Sequence, residues 1–335
     1  MWKLDCDFEN SEYKFEQLRD EIIKIIESGD LDFEKPLPNI NEVSNYFKLS
    51  KVTVSRAYNH LKKRGIISNI RGKFYVVTEK ANRLKILLVF NKLEDYKRDT
   101  YEAIQSAFNG NATIDLQVYY SNYTIFKRII NESLNKYDYY LIMPHFYKES
   151  LVDDNYELLK KIRPEKLLFL DNLIPEISNF RGAVIQEFGD DMLLGLEKTK
   201  DLLSKYVGIH FIRREHSHHP EVAINALTNF CKKNNLTFNM IHDIEKESIT
   251  PKIAYISTTD KDLAQLVKKI RTSVYKIGED IGIISYNETI LKELLNVTVF
   301  STNFHKMGEM ISRMIIDQDF SVKKNPFDII IRDTL

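Results

Sequence analysis

Two sets of side chains stand out for the contacts their chemistry permits. The first is Ser50, Lys51, Thr53, Ser55 and Arg56, with Arg71, Gly72 and Lys73 further on and Asn41 before them. Around Ser50–Arg64, Val54, Ala57, Tyr58 and Leu61 fall on one helical face. Lys51, Val52, Ser55, Arg56 and Asn59 fall on the opposite one, with Lys62 and Lys63 beyond. Small polar and basic groups on the outer face of a helix can meet base edges in a major groove, and a helix N-terminus can meet a phosphate. The second set is Asn91, Tyr96, Lys97, Tyr101, His145, Asp171, Gln186, Asp260 and Asn287, mostly at or just after the ends of apolar runs. Planar polar groups pair with vicinal hydroxyls, and aromatic faces cover the apolar face of a pyranose. A third cluster, Glu215 with His216, His218 and His219, lies in a loop beside Pro220. It lacks the i, i+4 spacing of helical zinc ligands, so no metal is expected there.

Charge distribution supports the first set. From Met1 to Phe47 there are five Lys/Arg against twelve Asp/Glu; from Lys48 to Arg83 there are ten against one, Glu79. One basic block inside a chain of net charge +0 is the footprint expected of a phosphate-backbone partner.

The elements that position these residues are readable from periodicity and punctuation. Phe15, Leu18, Ile22, Ile25 and Ile26 predict a first helix over Tyr13–Glu27, closed by Gly29. Pro36-Leu37-Pro38 is a stiff connector. Asn39 with Glu42 forms a capping-box pattern for a short helix through Phe47. Lys48-Leu49 turn the chain, Ser50 caps the next helix, and Gly65 ends it. Ile66–Ser68 and Phe74–Val77 then read as two strands around a basic tip, a wing. The whole predicts a winged helix-turn-helix over residues 1–78.

Those residues resemble the GntR family of bacterial regulators over about Tyr13–Thr78. The match rests on Leu37-Pro38-Asn39, on Leu49–Tyr58, on Leu61, on Gly65-Ile66-Ile67 and on Arg71-Gly72-Lys73. The resemblance implies DNA contacts from Asn41, Ser50, Lys51, Thr53, Ser55, Arg56, Arg71, Gly72 and Lys73. Two positions depart from the family pattern: Asn41 stands where an Arg is usual, and Phe74 where a Gly is usual.

Residues 79–84 read as a linker. Beyond it, apolar runs at Lys85–Phe90, Ile114–Tyr120, Tyr139–Met143, Leu167–Leu170, Ala183–Ile185, Val207–Ile212, Thr237–Ile241, Ile253–Ser257 and Ile281–Ser285 alternate with helical patterns. That alternation predicts parallel sheets covered on both faces, and the number of strands predicts two α/β lobes with a cleft. Ligands in such folds sit at the carboxyl ends of the strands.

Ala254–Asp260 with Leu263-Ala264, Ile277–Asn287, and Val297–Ser301 through Met307-Gly308 resemble the periplasmic-binding-protein-like effector domain of the LacI/GalR regulators. Together the two halves resemble the arabinose-repressor-like branch. The resemblance implies an effector domain over 85–335, with lobe 1 at 85–181 and 300–319 and lobe 2 at 182–299 and 320–335. It implies a regulator of sugar utilisation genes, with a double-stranded DNA operator, a carbohydrate effector and a homodimer as partners.

Other function classes find little support. Eleven glycines leave no Gly-rich phosphate loop, and no nucleophile elbow, paired metal ligands or cofactor lysine is found. A pyridoxal-phosphate enzyme fusion would need a longer second domain, so neither an enzyme nor a cofactor is expected. No run nears the roughly 18 apolar residues of a membrane span. The acidic start lacks a signal pattern, and two cysteines, Cys6 and Cys231, make no framework, so a cytoplasmic protein is expected. A non-sugar metabolite stays open as the effector.

Overall fold

The computed structural model describes residues 14–27, 31, 36–63, 65–70, 74–78, 83–147, 156–213 and 220–335. Arg71, Gly72 and Lys73, Gly29, Cys6, most of the expected linker and the Glu215–His219 cluster lie outside the described residues. The chain divides into two compact units, Met1–Leu84 with Gly110–Thr113, and Lys85–Asn109 with Ile114–Leu335.

The first unit is built from α1 (Lys14–Glu27), β1 (Pro36–Leu37), α2 (Ile40–Phe47), α3 (Lys51–Lys63), β2 (Ile67–Ile70) and β3 (Phe74–Val77). Leu18, Ile22, Val54, Ala57, Tyr58 and Leu61 are fully buried together. The capping box forms as expected. The Asn39 side chain accepts from the N–H groups of Asn41 and Glu42, and Glu42 accepts from the Asn39 N–H at 2.8 Å. Lys48 takes the left-handed conformation at φ 51° to end α2. Ser44 Oγ, donating to Leu49 O at 2.7 Å, fixes that turn. Ser50 Oγ accepts from the Thr53 N–H at 3.1 Å and starts α3. The sheet order is β1-β3-β2, antiparallel, with Ile70 opposite Phe74. The sequence pattern missed β1, because two residues carry no period.

The second unit holds two six-stranded sheets. The first is drawn from β4 (Leu84–Phe90), β5 (Ala112–Val118), β6 (Tyr139–Ile142), β7 (Leu167–Asp171) and β8 (Gly182–Ile185). Helices α4 (Asp95–Phe108) and α5 (Tyr123–Ser133) are interleaved with them. The second sheet is drawn from β9 (Gly208–Ile212), β10 (Thr237–Ile241), β11 (Ile253–Ser257), β12 (Ile281–Tyr286) and β13 (Thr298–Thr302). Its helices are α6 (Phe188–Lys198), α7 (Lys200–Leu203), α8 (Glu221–Lys233), α9 (Asp260–Arg271) and α10 (Ile290–Leu294). Then come α11 (Phe304–Ile316), β14 (Val322–Lys324) and β15 (Phe327–Ile330). The first sheet runs β14-β8-β7-β6-β4-β5 and the second β10-β9-β11-β12-β13-β15. The second is parallel except for β15, which pairs antiparallel with β13.

Both faces of the second sheet are covered, which explains why its strands read as continuous apolar runs. Ala254, Ile256 and Ile284 pack with α6 and α8, while Tyr255, Ile281 and Ile283 pack with Leu263, Leu266 and Ile270 of α9. Against the first sheet, α4 and α11 pack closely. A Cβ at Gly308 would fall 2.5 Å from the Thr100 carbonyl oxygen, so only glycine fits there. The expected lobe limits need correcting. Gly182–Ile185 and Val322–Lys324 belong to the first sheet, and Thr298–Thr302 belongs to the second. The chain crosses between sheets at about 186, 303 and 325, since β8 pairs with β7 and β14 pairs with β8 in the first sheet.

Candidate functional site

In the first unit the outer face of α3 presents Lys51, Val52, Arg56, Asn59, Lys62 and Lys63 as exposed side chains. The helix holds no acidic residue. Ser50 and Thr53 bond to one another, oxygen to oxygen at 2.7 Å, and Asn59 Nδ2 donates to Ser55 Oγ at 3.4 Å. The Arg56 guanidinium lies 4.0 Å from the centre of the Phe15 ring of α1, a cation–π contact. Asn41 is exposed on α2, with its backbone N–H tied into the cap.

In the second unit a cavity of about 420 Å³ opens where the carboxyl ends of the two sheets face each other. Of the nine residues expected from sequence, seven line it: Asn91, Tyr96, Lys97, His145, Asp171, Gln186 and Asn287.

The first wall is a connected network. Lys97 is 2 % exposed; its Nζ donates to Asn91 Oδ1 and lies 3.4 Å from the Met143 sulfur. Burial pushes the Lys97 ammonium down to about 8, against the pull of Asp171. Tyr119 Oη donates to Met143 O at 2.8 Å and accepts from the His145 N–H at 2.7 Å, presenting the His145 ring. His145 Nε2 meets Asp171 Oδ2 at 2.7 Å, and Gln186 Nε2 donates to Asp171 Oδ1. Burial raises the Asp171 carboxyl, but His145 and Lys97 more than offset this and hold it below its ordinary value. Gln186 Oε1 in turn accepts from Thr302 Oγ1 of the second sheet at 2.6 Å. Asp171 itself sits at φ 73°, a left-handed position that Asp tolerates better than most residues.

Tyr96 packs its ring 4.7 Å from that of Phe304, and burial, with the Glu94 carboxylate near it, raises its hydroxyl well above its ordinary value. Asn287 is held at φ 60°. The buried Lys292 sets this turn: its Nζ donates to the carbonyls of Tyr286 and Asn287, both at 2.6 Å.

Two expected residues lie elsewhere. Asp260 opens α9 with its side chain 60 % exposed and does not line the cavity; it pairs at 2.7 Å with Lys292 Nζ, which holds the Tyr286–Asn287 turn. Tyr101 is half-buried on α4 and does not line the cavity. Five residues on from Tyr96, it is turned about 140° around the helix, off the face that Tyr96 presents.

Sequence reasoning missed Thr258 and Thr259, Tyr286, Thr302, Phe188 and Asp191, all in the lining. Thr258 and Tyr286 stand at ends of strands that were recognised, so strand-end polarity could have found them. Asp191 had no such signal, lying one turn into a helix. It is 3 % exposed, accepts from the Glu187 N–H at 3.2 Å, and lies 3.8 Å from Lys324 Nζ. Its Oδ1 is buried without a hydrogen bond among the described residues. Burial pushes its carboxyl up to about 6.

Among the described residues no group of three His, Cys, Asp or Glu is placed to hold a metal ion, and no helix is long and apolar enough to cross a membrane.

No protein-family model matches the chain, and no curated protein matches it. Solved structures do. The lactose repressor bound to the anti-inducer ONPF in its induced state is 16% identical, with a TM-score of 0.62, covering 75% of this chain and 99% of that one. A trehalose repressor from Escherichia coli is 12% identical, with a TM-score of 0.60, covering 74% and 99%. A periplasmic binding protein/LacI transcriptional regulator from Alkaliphilus metalliredigens, complexed with D-xylulofuranose, is 14% identical, with a TM-score of 0.59, covering 75% and 98%. Over about 75% of its length the chain shares the two-lobed α/β fold of these structures.

Proposed function

We propose that this chain is a transcription regulator of sugar-utilisation genes, and not an enzyme. Residues 1–78 form a winged helix-turn-helix of the GntR kind, and residues beyond the 79–84 linker form an effector domain. The observation that carries the reading is the cavity, where seven side chains from five separate stretches of the sequence converge at the carboxyl ends of two sheets. Its polar groups are amide, carboxylate, hydroxyl, imidazole and two ammonium groups, Lys92 paired with Glu94 at 2.7 Å and Lys97 bonded to Asn91, interspersed with the rings of Tyr96, Phe188, Tyr286 and Phe304. That mixture suits a neutral, hydroxyl-bearing ring such as a carbohydrate. The solved structures of like fold include a lactose repressor and a complex with D-xylulofuranose, which supports the same class.

The DNA reading rests on the first unit. Helices α2 and α3, joined by a tight left-handed turn, followed by the β2–β3 pair, have the order of a helix-turn-helix with a wing. The acid-free face of α3 would enter the major groove. Asn41, Ser50, Lys51, Thr53, Ser55 and Arg56, with Arg71, Gly72 and Lys73 at the wing tip, are the proposed contacts. A homodimer would present two heads to a palindromic operator. Sugar binding then acts by changing the relation of the two lobes, since Gln186 and Thr302 bond between the two sheets beside the cavity. A coupling of about 1–3 kcal/mol changes DNA affinity roughly 5–150-fold.

The test is a gel shift of the full chain on the DNA upstream of its own gene, with and without a panel of mono- and disaccharides. The expected result is a specific complex whose affinity one sugar shifts at least five-fold. Binding to no duplex by a folded dimer would sink the DNA reading. A specific complex that no sugar alters, with no calorimetric sugar binding, would sink the carbohydrate reading alone.

A further inference from the structure

The exposed face of α3 carries one residue that its basic neighbours do not explain. Val52, the second residue of the helix, is 77 % exposed. Ser55, Arg56 and Asn59 follow it at i+3, i+4 and i+7, so all four share a stripe. A solvated valine there contributes nothing to the core, and β-branching lowers helix propensity. The stripe continues to Lys63, and the surrounding segment Lys48–Arg83 holds ten Lys/Arg against one acid, so a polyanion is its complement. Among the groups a base pair shows in the major groove, only the C5 methyl of thymine is apolar. Valine suits it: its χ1 is stiff, and its two methyl groups stand clear of the helix.

We propose that Val52 is a specificity-determining residue that reads a thymine methyl group in each operator half-site. The assignment rests on the DNA-binding reading above. The lysines of the same face supply affinity through phosphates, which carries no sequence information. Val52 supplies sequence discrimination with no charge.

The experiment uses the full chain and the duplex it selects most strongly from a random library. Each thymine is replaced in turn by deoxyuridine, which removes the methyl and leaves every hydrogen-bonding group. Wild type is expected to lose about four-fold in affinity at one thymine per half-site, the worth of burying one methyl group. Val52→Ala should bind the thymine and deoxyuridine duplexes equally, about as tightly as wild type binds the deoxyuridine one. The salt dependence of Val52→Ala should match wild type, because no phosphate contact is lost. Lys51→Ala gives the contrast: weaker binding across all sequences, a shallower salt slope, and discrimination retained. Wild-type indifference to every deoxyuridine overturns the assignment while leaving DNA binding intact. So does a Val52→Ala chain that still discriminates, or one whose only change is in oligomeric state. If the chain selects no sequence and binds no duplex, the DNA reading fails and this assignment fails with it.

Discussion

The two walls of the cleft are made of different materials. The first wall is ionic and wired together: Lys97 to Asn91, and His145 to Asp171 to Gln186. The second wall offers hydroxyl, amide and ring: Thr258, Thr259, Asn287, Tyr286 and Phe327, with Asp191 as its one carboxylate among the described residues. On the first wall charges are buried and each is answered by a neighbour, so geometry is fixed before any ligand arrives. On the second wall Thr259 already serves a structural purpose, capping α9 through the Asp262 N–H at 3.1 Å. One wall therefore imposes orientation, and the other supplies adaptable, weak contacts. Removing a group from the first should leave unpaired buried partners; removing one from the second should leave a gap that water can fill.

The sharpest way to break this contrast is Asp171→Ala. It takes the carboxylate from His145 and leaves the Gln186 amide N–H without its acceptor, and ligand affinity is expected to fall more than 100-fold by calorimetry, about 3 kcal/mol. A loss under ten-fold would mean that the first wall does not orient the ligand.

Lys97→Met asks what the buried charge costs. The folded pKa of about 8 lies below the ordinary 10.5, so the unfolded chain holds more protons between those values. Stability therefore rises with pH through that window, and below it the ammonium costs about 2–3 kcal/mol. Denaturant unfolding at pH 7 and pH 10 should show wild type gaining relative to the variant as the pH rises. Lys97→Met should be the more stable protein at pH 7 and the weaker binder. Equal pH dependence in the two proteins would refute the cost.

Asp191→Asn tests the exception on the second wall. Its carboxyl is raised to about 6, so the folded state holds its proton more tightly than the unfolded state does. That contribution is complete below about pH 4 and is lost as pH rises through about 6. The amide should therefore stabilise the fold by about 1–2 kcal/mol at pH 8, with no gain at pH 4. A gain that persists at pH 4 would point to packing instead.

The smallest effect is expected of Asp260→Ala. Its partner Lys292 keeps both carbonyl bonds, so the Tyr286–Asn287 turn should loosen only slightly. Sugar affinity should drop about three- to ten-fold, roughly 1 kcal/mol. A loss as large as that of Asp171→Ala would restore Asp260 as a direct contact.

Much of the second unit was legible because buried parallel strands announce themselves. Ile253–Ser257 and Thr237–Ile241 were located to the residue, and Ile281–Tyr286 to within one. β14 and β15 were not, since Val322–Lys324 is mostly exposed and Phe327–Ile330 carries no fully buried residue. The lobe limits shifted for the same reason: edge strands are assigned by pairing partners, which no local pattern records. The continuous helical pattern after β8 is divided at Thr199 into α6 and α7, where Thr199 Oγ1 donates back to Gly195 O at 2.8 Å.

By itself the sequence determined what depends on neighbours within a few residues. The Asn39–Glu42 box, the Lys48 turn, the Ser50 cap and the acid-free face of α3 all follow from i to i+4 geometry and charge count. It also placed polar groups at strand ends, and so named seven of the lining residues. Only the tertiary structure decided that Asp171 answers His145 and Gln186, that Gln186 reaches Thr302, and that Asp260 pairs with Lys292. Those partners lie from 15 to 116 positions apart along the chain. The crossovers between sheets bring them together, and burial then turns ordinary ionisable side chains into a network whose charges depend on one another.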